Sequence, residues 1–308
     1  MKVVDFLFAF FLGFQIVKGD NHILSRVRRI IGGKSLEDGE APYLVFVAGG
    51  LTVTRGRRSI FNSFRRRGDF DLDSPEQWCT GSLINKRWVL TSAHCFDGET
   101  ELGRSFKDPE LWKIKMGSVT LKKSSGGLSW MNRLTWFKKT SDKAAKSVDV
   151  DRIIIHPGYN EDLSEGKDDI AVVRLSDDVS FGPDVQETIL NSDHSYPPDG
   201  TECSAQGWGC SRSGGSASNE ARMVDLPIYD SDSCGDVFDL RYTFCAGYFN
   251  RNKGICPGDS GGPLICKRDG NLVQVGVASL ANEHDPGNYP AIYVRVSTYL
   301  DWIRSYTG

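Results

Sequence analysis

The residues best suited to chemistry lie in the run Gly258-Asp259-Ser260-Gly261-Gly262-Pro263. Glycines on both sides of a serine let the backbone turn tightly, so the hydroxyl can stand exposed beside main-chain N–H groups that face a developing oxyanion. A serine hydroxyl is a weak nucleophile at neutral pH. It needs a base within hydrogen-bond reach, and the base needs a carboxylate to orient it. Thr91-Ser92-Ala93-His94-Cys95 supplies a histidine beside a cysteine, and Asp168-Asp169-Ile170-Ala171-Val172 supplies an acid at the mouth of an apolar strand. The three segments together suit nucleophilic acyl transfer, in the chain order His, Asp, Ser. A lone histidine or an isolated serine between glycines is most often an ordinary surface residue or turn, so the inference rests on their joint occurrence.

The elements that must position these segments are short. Apolar runs such as Tyr43 to Val47, Ile170 to Leu175 and Val273 to Val277 are separated by Gly, Asp, Ser and Pro clusters, which predicts many strands and few helices. The C-terminus differs. There Val296, Tyr299, Leu300, Ile303 and Tyr306 recur at helical spacing after a Ser297-Thr298 cap, which predicts a helix that docks its apolar stripe on a barrel. Two polar, basic regions, Arg55 to Asp73 and Thr120 to Lys146, read as long surface loops.

Composition narrows the class. The 308 residues allow one large all-β unit or two ordinary domains, and 39% hydrophobic with 25% charged content excludes a disordered or collagen-like chain. A formal charge of -3 argues against general nucleic-acid binding. Residues 1–19, with an apolar stretch from Val3 to Val17, read as a secretory signal, too short for a membrane span and leaving the mature form without a membrane anchor. Residues 20–29 form a basic propeptide ending Arg26-Val27-Arg28-Arg29, placed to be cut before Ile30-Ile31-Gly32-Gly33. Eight cysteines, none before Cys79, fit an oxidising compartment, hence a secreted protein. None has zinc-ligand spacing and the histidines lie singly, so neither a metal site nor a cofactor is expected.

These motifs resemble the trypsin and chymotrypsin family over residues 30–308. The resemblance implies an all-β fold of two six-stranded antiparallel barrels with a C-terminal α-helix, and the activity of a serine endopeptidase made as a zymogen. In it His94 is the general base and then acid, Asp169 orients it, Ser260 attacks, and the N–H groups of Gly258 and Ser260 form the oxyanion hole. Asp168 rivals Asp169, but the family's acid directly precedes the Ile-Ala pair. After cleavage behind Arg29 the new ammonium of Ile30 is expected to pair with Asp259 and order the site. The Arg26 to Arg29 run suits a furin-type convertase or any trypsin-like activating protease. Three disulfides carry over by motif: Cys79 with Cys95, Cys203 with Cys266, and Cys234 with Cys245. Cys256 lacks its usual partner, since His284 stands there. Cys210 is additional, so the family fold suggests a Cys210 to Cys256 bridge, with free or intermolecular thiols as the alternative.

Tryptic members carry an aspartate two residues before the cysteine aligned to Cys256, and here that residue is Gly254. With Ile255, Ala281 and Ala291 as apolar walls and Ser279 on the strand lining the cleft, a cationic side chain would be desolvated without a partner. The resemblance therefore implies peptide or protein substrates cleaved after uncharged residues, small aliphatic or aromatic, and protein inhibitors as further partners. The arginines from Arg55 to Arg67 read first as a solvated face and second as a site for an acidic glycan. The basic character of the Lys122 to Lys146 segment opposes a calcium site. A catalytically silent homologue acting as a binding module is the competing class. An α/β-hydrolase esterase is opposed by the order of the three residues.

Overall fold

Strands here are short because each crosses one small barrel, and their side chains alternate between a filled interior and the outside. The computed structural model describes residues 30–50, 75–121, 145–161, 166–210, 218–229, 239–282 and 284–308. The expected signal segment, the propeptide with Arg29, the arginine-rich loop, most of the lysine-rich segment and Cys234 lie outside these residues.

Fourteen strands are described: β1 (Lys34–Ser35), β2 (Leu44–Gly49), β3 (Gln77–Leu83), β4 (Trp88–Thr91), β5 (Lys113–Met116), β6 (Lys146–Ile155), β7 (Ala171–Leu175), β8 (Ile189–Leu190), β9 (Glu202–Gly207), β10 (Arg222–Tyr229), β11 (Thr243–Ala246), β12 (Pro263–Arg268), β13 (Asn271–Leu280) and β14 (Ala291–Arg295). The first barrel closes in the order β2-β3-β4-β7-β6-β5. The second runs β10-β11-β14-β13-β12-β9 and closes through the β9–β10 pairing, with β1 added to β10 and β8 lying parallel to β13. Every pairing inside the two barrels is antiparallel, as the two-barrel all-β expectation required.

Each barrel has its own core. Val45, Val47, Leu83, Val89, Ile114, Val148 and Val173 fill the first, around Trp112, whose indole meets Phe96 edge-on. Leu226, Phe244, Leu264, Val275 and Tyr293 fill the second. A further cluster unites the barrels: Trp88, Leu90, Ile154 and Val172 of the first pack with Val277 and Val294 of the second and with the C-terminal segment. Burying side chains of this size contributes about 1.5–3 kcal/mol each, so the two barrels are held as one body.

The C-terminal helix, α1 (Leu300–Thr307), buries Leu300 and Ile303 in that shared cluster. Its start corrects the sequence expectation. Ser297 and Thr298 belong to a preceding 3-10 turn (Val296–Thr298), and the helix begins after Tyr299 without a side-chain cap. The two hydroxyls are used elsewhere, Ser297 Oγ with His194 Nδ1 and Thr298 Oγ1 donating to the Arg241 carbonyl. Tyr306, placed by its spacing on the apolar stripe, is 42% exposed. Among the described residues no helix is long and apolar enough to cross a membrane.

Candidate active site

Both barrels contribute residues to the candidate site. His94 opens a 3-10 turn (His94–Phe96) just after β4, and a disulfide from Cys95 to Cys79 ties that turn to β3. Asp169 lies two residues before β7, separated from it by the buried Ile170. Ser260 lies in the loop that leads into β12 of the second barrel, and Ser279 lies on β13.

Asp169 is fully buried, and its carboxylate is held by three donors. His94 N donates to Oδ1 at 2.9 Å, His94 Nδ1 lies 2.7 Å from Oδ2, and Ser279 Oγ donates to Oδ2 at 2.5 Å. An ionised carboxylate only accepts, so the His94 proton sits on Nδ1 and Nε2 is left as the base. Burial acts on both groups against their charged forms, but their mutual attraction and hydrogen bond outweigh it. The His94 pKa is raised and the Asp169 pKa is lowered. Asp168, the rival acid, turns away: its carboxylate accepts from Tyr299 Oη at 2.9 Å.

The serine loop is shaped by close contacts. Gly261 (φ +76°) packs so tightly on the β4 end that a Cβ there would fall 2.0 Å from Thr91 Oγ1, so only glycine lets Ser260 approach the segment carrying His94. At Gly258 (φ +99°) a Cβ would fall 2.5 Å from Trp78 Nε1. Thr80 fastens the loop from the first barrel, donating through N to the Ser260 carbonyl (2.8 Å) and through Oγ1 to the Gly258 carbonyl (2.9 Å). Asp259 N is occupied by the Cys256 carbonyl at 2.9 Å. Gly258 N and Ser260 N, in contrast, donate to no acceptor among the described residues, which leaves two neighbouring donors for an oxyanion. The Ser260 hydroxyl is partly exposed and makes no hydrogen bond among the described residues, His94 included. Catalytic hydrogen bonds of this kind often tighten only once substrate is bound.

Asp259 points inward, 1% exposed, and accepts from Gly209 N (2.8 Å) and Cys256 N (2.9 Å). Burial pushes its carboxyl up to about 7, with those two bonds opposing. Both donors adjoin one disulfide, Cys210 with Cys256, the bridge suggested for the two cysteines left over. Cys203 is bonded to Cys266. Cys245 is also disulfide-bonded, and its expected partner Cys234 lies outside the described residues. Ile30 is fully buried among the core residues of the second barrel, in the cluster that also holds Ile255.

Ile255, Ala291 and Tyr293 share that cluster, with Ala281 packed against it half-buried. Gly254 adds a feature invisible in the sequence. A Cβ at this position would meet the Pro286 carbonyl oxygen at 2.4 Å, so main chain already fills the space an acidic side chain would need. No sequence signal points to Thr80 or Pro286. The family resemblance places Ser279 on the cleft wall, but nothing in the sequence announces its bond to Asp169.

The sequence matches the family model described as Trypsin over residues 30–303. It is similar to serine protease 41 of Homo sapiens, 28% identical over 284 residues that cover 89% of this chain and 80% of that protein. It is also similar to trypsin-1 of Salmo salar, 30% identical over 238 residues that cover 76% of this chain and 83% of that protein.

Proposed function

The chain belongs to the trypsin family of serine endopeptidases, and from that membership we propose that it is secreted as a zymogen, cut after Arg29, and then cleaves after uncharged residues. Small or medium aliphatic side chains are preferred before the scissile bond, with Phe, Tyr or Leu next. The observation that carries the reading is the bond between His94 Nδ1 and the fully buried Asp169 carboxylate, which leaves Nε2 as the base of a histidine just beyond the β4 end on which the serine loop packs.

In this mechanism His94 takes the Ser260 proton as the hydroxyl oxygen attacks the scissile carbonyl. Gly258 N and Ser260 N receive the negative charge on the tetrahedral oxygen. His94 then passes the proton to the leaving amine, which departs and leaves an acyl-serine. Water, deprotonated by the same histidine, releases the acid and restores the hydroxyl. Asp169 stays ionised throughout and stabilises the imidazolium.

Activation follows from Asp259. Cleavage behind Arg29 turns the Ile30 amide into an ammonium, and a buried carboxylate with two backbone donors and no cationic partner among the described residues is its natural acceptor. The basic sequence before Ile30 suits an activating protease, furin-type or trypsin-like, and not this enzyme itself. Gly254, with the Pro286 carbonyl in the way, supports an uncharged pocket. The signal pattern and the disulfides support secretion.

The test is hydrolysis of peptide amides varied at the residue before the scissile bond, by protein cut after Arg29, with Ser260→Ala and uncut controls. Cleavage after Ala, Val, Leu or Phe that is absent from both controls is expected. Cleavage confined to Arg or Lys refutes the pocket, and none by folded, cut protein refutes the enzyme assignment in favour of a silent binding module.

A further inference from the structure

We infer that Tyr299, at the start of the C-terminal helix, is a positioning residue for Asp169, acting through a two-point clamp on Asp168. The inference rests on the reading of His94, Asp169 and Ser260 as the triad.

Asp168 is a non-glycine residue in the left-handed region, at φ +59°, a conformation that is unfavourable when a Cβ is present. The tight turn it begins closes at once, Ile170 N donating to the Asp168 carbonyl at 2.8 Å across Asp169. A single oxygen bonds both the main chain and the side chain of this strained entry. Tyr299 Oη accepts from Asp168 N at 3.0 Å and donates to Asp168 Oδ1 at 2.9 Å. Both residues are buried, Asp168 at 6% and Tyr299 at 3% exposure, so water cannot readily replace either bond. The phenol is itself fixed, its ring edge-on to His156 at 5.1 Å, and His156 Nδ1 lies 3.4 Å from Asp168 Oδ1.

Two neighbouring aspartates therefore have separate tasks. Asp168 anchors the backbone to the C-terminal segment, while Asp169 turns the other way and offers its carboxylate to His94 and Ser279. The three bonds at Asp169 orient its carboxylate and His156 N holds the Ile170 carbonyl on the strand side, while the Tyr299 clamp holds the left-handed Asp168 from which the turn begins. If the clamp is lost, Asp168 relaxes towards negative φ and the carboxylate is carried off the His94 axis. Displacements well under an ångström at such a position reduce turnover without weakening substrate binding.

The test uses the full chain cut after Arg29 and four proteins: parent, Tyr299→Phe, Asp168→Gly, and the double variant. Glycine adopts the left-handed conformation without cost, so it removes the need for a clamp. Expected are a roughly tenfold fall in kcat with unchanged KM for Tyr299→Phe, and a much smaller effect of the same substitution in the Asp168→Gly background. Thermal unfolding of all four separates a lost fold from a misplaced acid. A kcat within twofold of the parent for folded Tyr299→Phe overturns the inference. So does an equal penalty in both backgrounds, because the hydroxyl then acts elsewhere. Ser260→Ala and Asp169→Asn run alongside: activity that survives them refutes the triad, whereas their inactivity with an active Tyr299→Phe refutes only the clamp.

Discussion

Asp259 should destabilise the uncut chain and stabilise the cut one, and the difference can be worked out from its surroundings. In the intact chain the carboxyl is 1% exposed and its pKa is pushed up to about 7 by burial. An unfolded aspartate titrates near 3.9. Because the folded chain binds the proton more tightly, the stability from this group is complete below about pH 4 and is lost as pH rises to about 7. The full loss is on the order of 4 kcal/mol, of which roughly 2–3 kcal/mol falls between pH 5 and pH 8. Asp259→Asn removes the titration and, since its amide group can accept only one of the two N–H bonds, adds a pH-independent cost of about 1–3 kcal/mol.

The stability of the uncut parent minus that of uncut Asp259→Asn should therefore decline by roughly 2–3 kcal/mol from pH 5 to pH 8. After cleavage the Ile30 ammonium favours the ionised carboxylate, so the decline should vanish or reverse, and Asp259→Asn should be inactive. Urea unfolding followed by tryptophan fluorescence, in a Ser260→Ala background that prevents self-digestion, measures all four proteins at both pH values. A difference that stays flat across pH 5–8 in the uncut chain would falsify the account of Asp259 as an uncompensated buried acid. Identical pH dependence before and after cleavage would refute the ammonium partnership.

Two further outcomes follow from the same geometry. Asp169→Asn should lower kcat by about 10³–10⁴, the loss typical of a Ser-His-Asp triad whose acid is replaced by its amide, because the imidazole is then held in the wrong tautomer; since the parent's His94 pKa is raised, the acid limb of kcat/KM should also move to lower pH in the variant, as a pH–rate profile would record. Gly254→Asp should not create tryptic specificity: with its Cβ 2.4 Å from the Pro286 carbonyl oxygen the backbone must shift, lowering stability by about 1–3 kcal/mol, and peptide amides with Arg or Lys should remain poor substrates.

What was legible in the sequence was what is local. The glycines around Ser260 and the acid at the head of an apolar strand are short-range patterns, and both lie where their segments predicted. Barrel closure is different in kind, since it depends on partners such as Val47 and Ile114, whose pairing is a matter of register between distant strands. The missing charge at Gly254 was legible, but the carbonyl that fills its place was not, because a main-chain oxygen has no residue type to announce it. Ser297 and Thr298 had the chemistry of a helix cap, yet acceptors and donors from other segments claimed their hydroxyls first.

Tyr299 shows most clearly how periodicity and chemistry part company. Helical spacing marked it as one more apolar residue on a buried stripe, and its ring does lie in the shared core. The same burial is what makes its hydroxyl consequential, because a polar group carried into the core must find a partner there. It found the N–H and the carboxylate of Asp168, 131 residues earlier in the chain, next to the acid that orients the proposed base. A hydrophobic period identifies which face is buried; the hydrogen bonds made by a polar atom on that face then decide whether the residue only packs or also positions a catalytic neighbour.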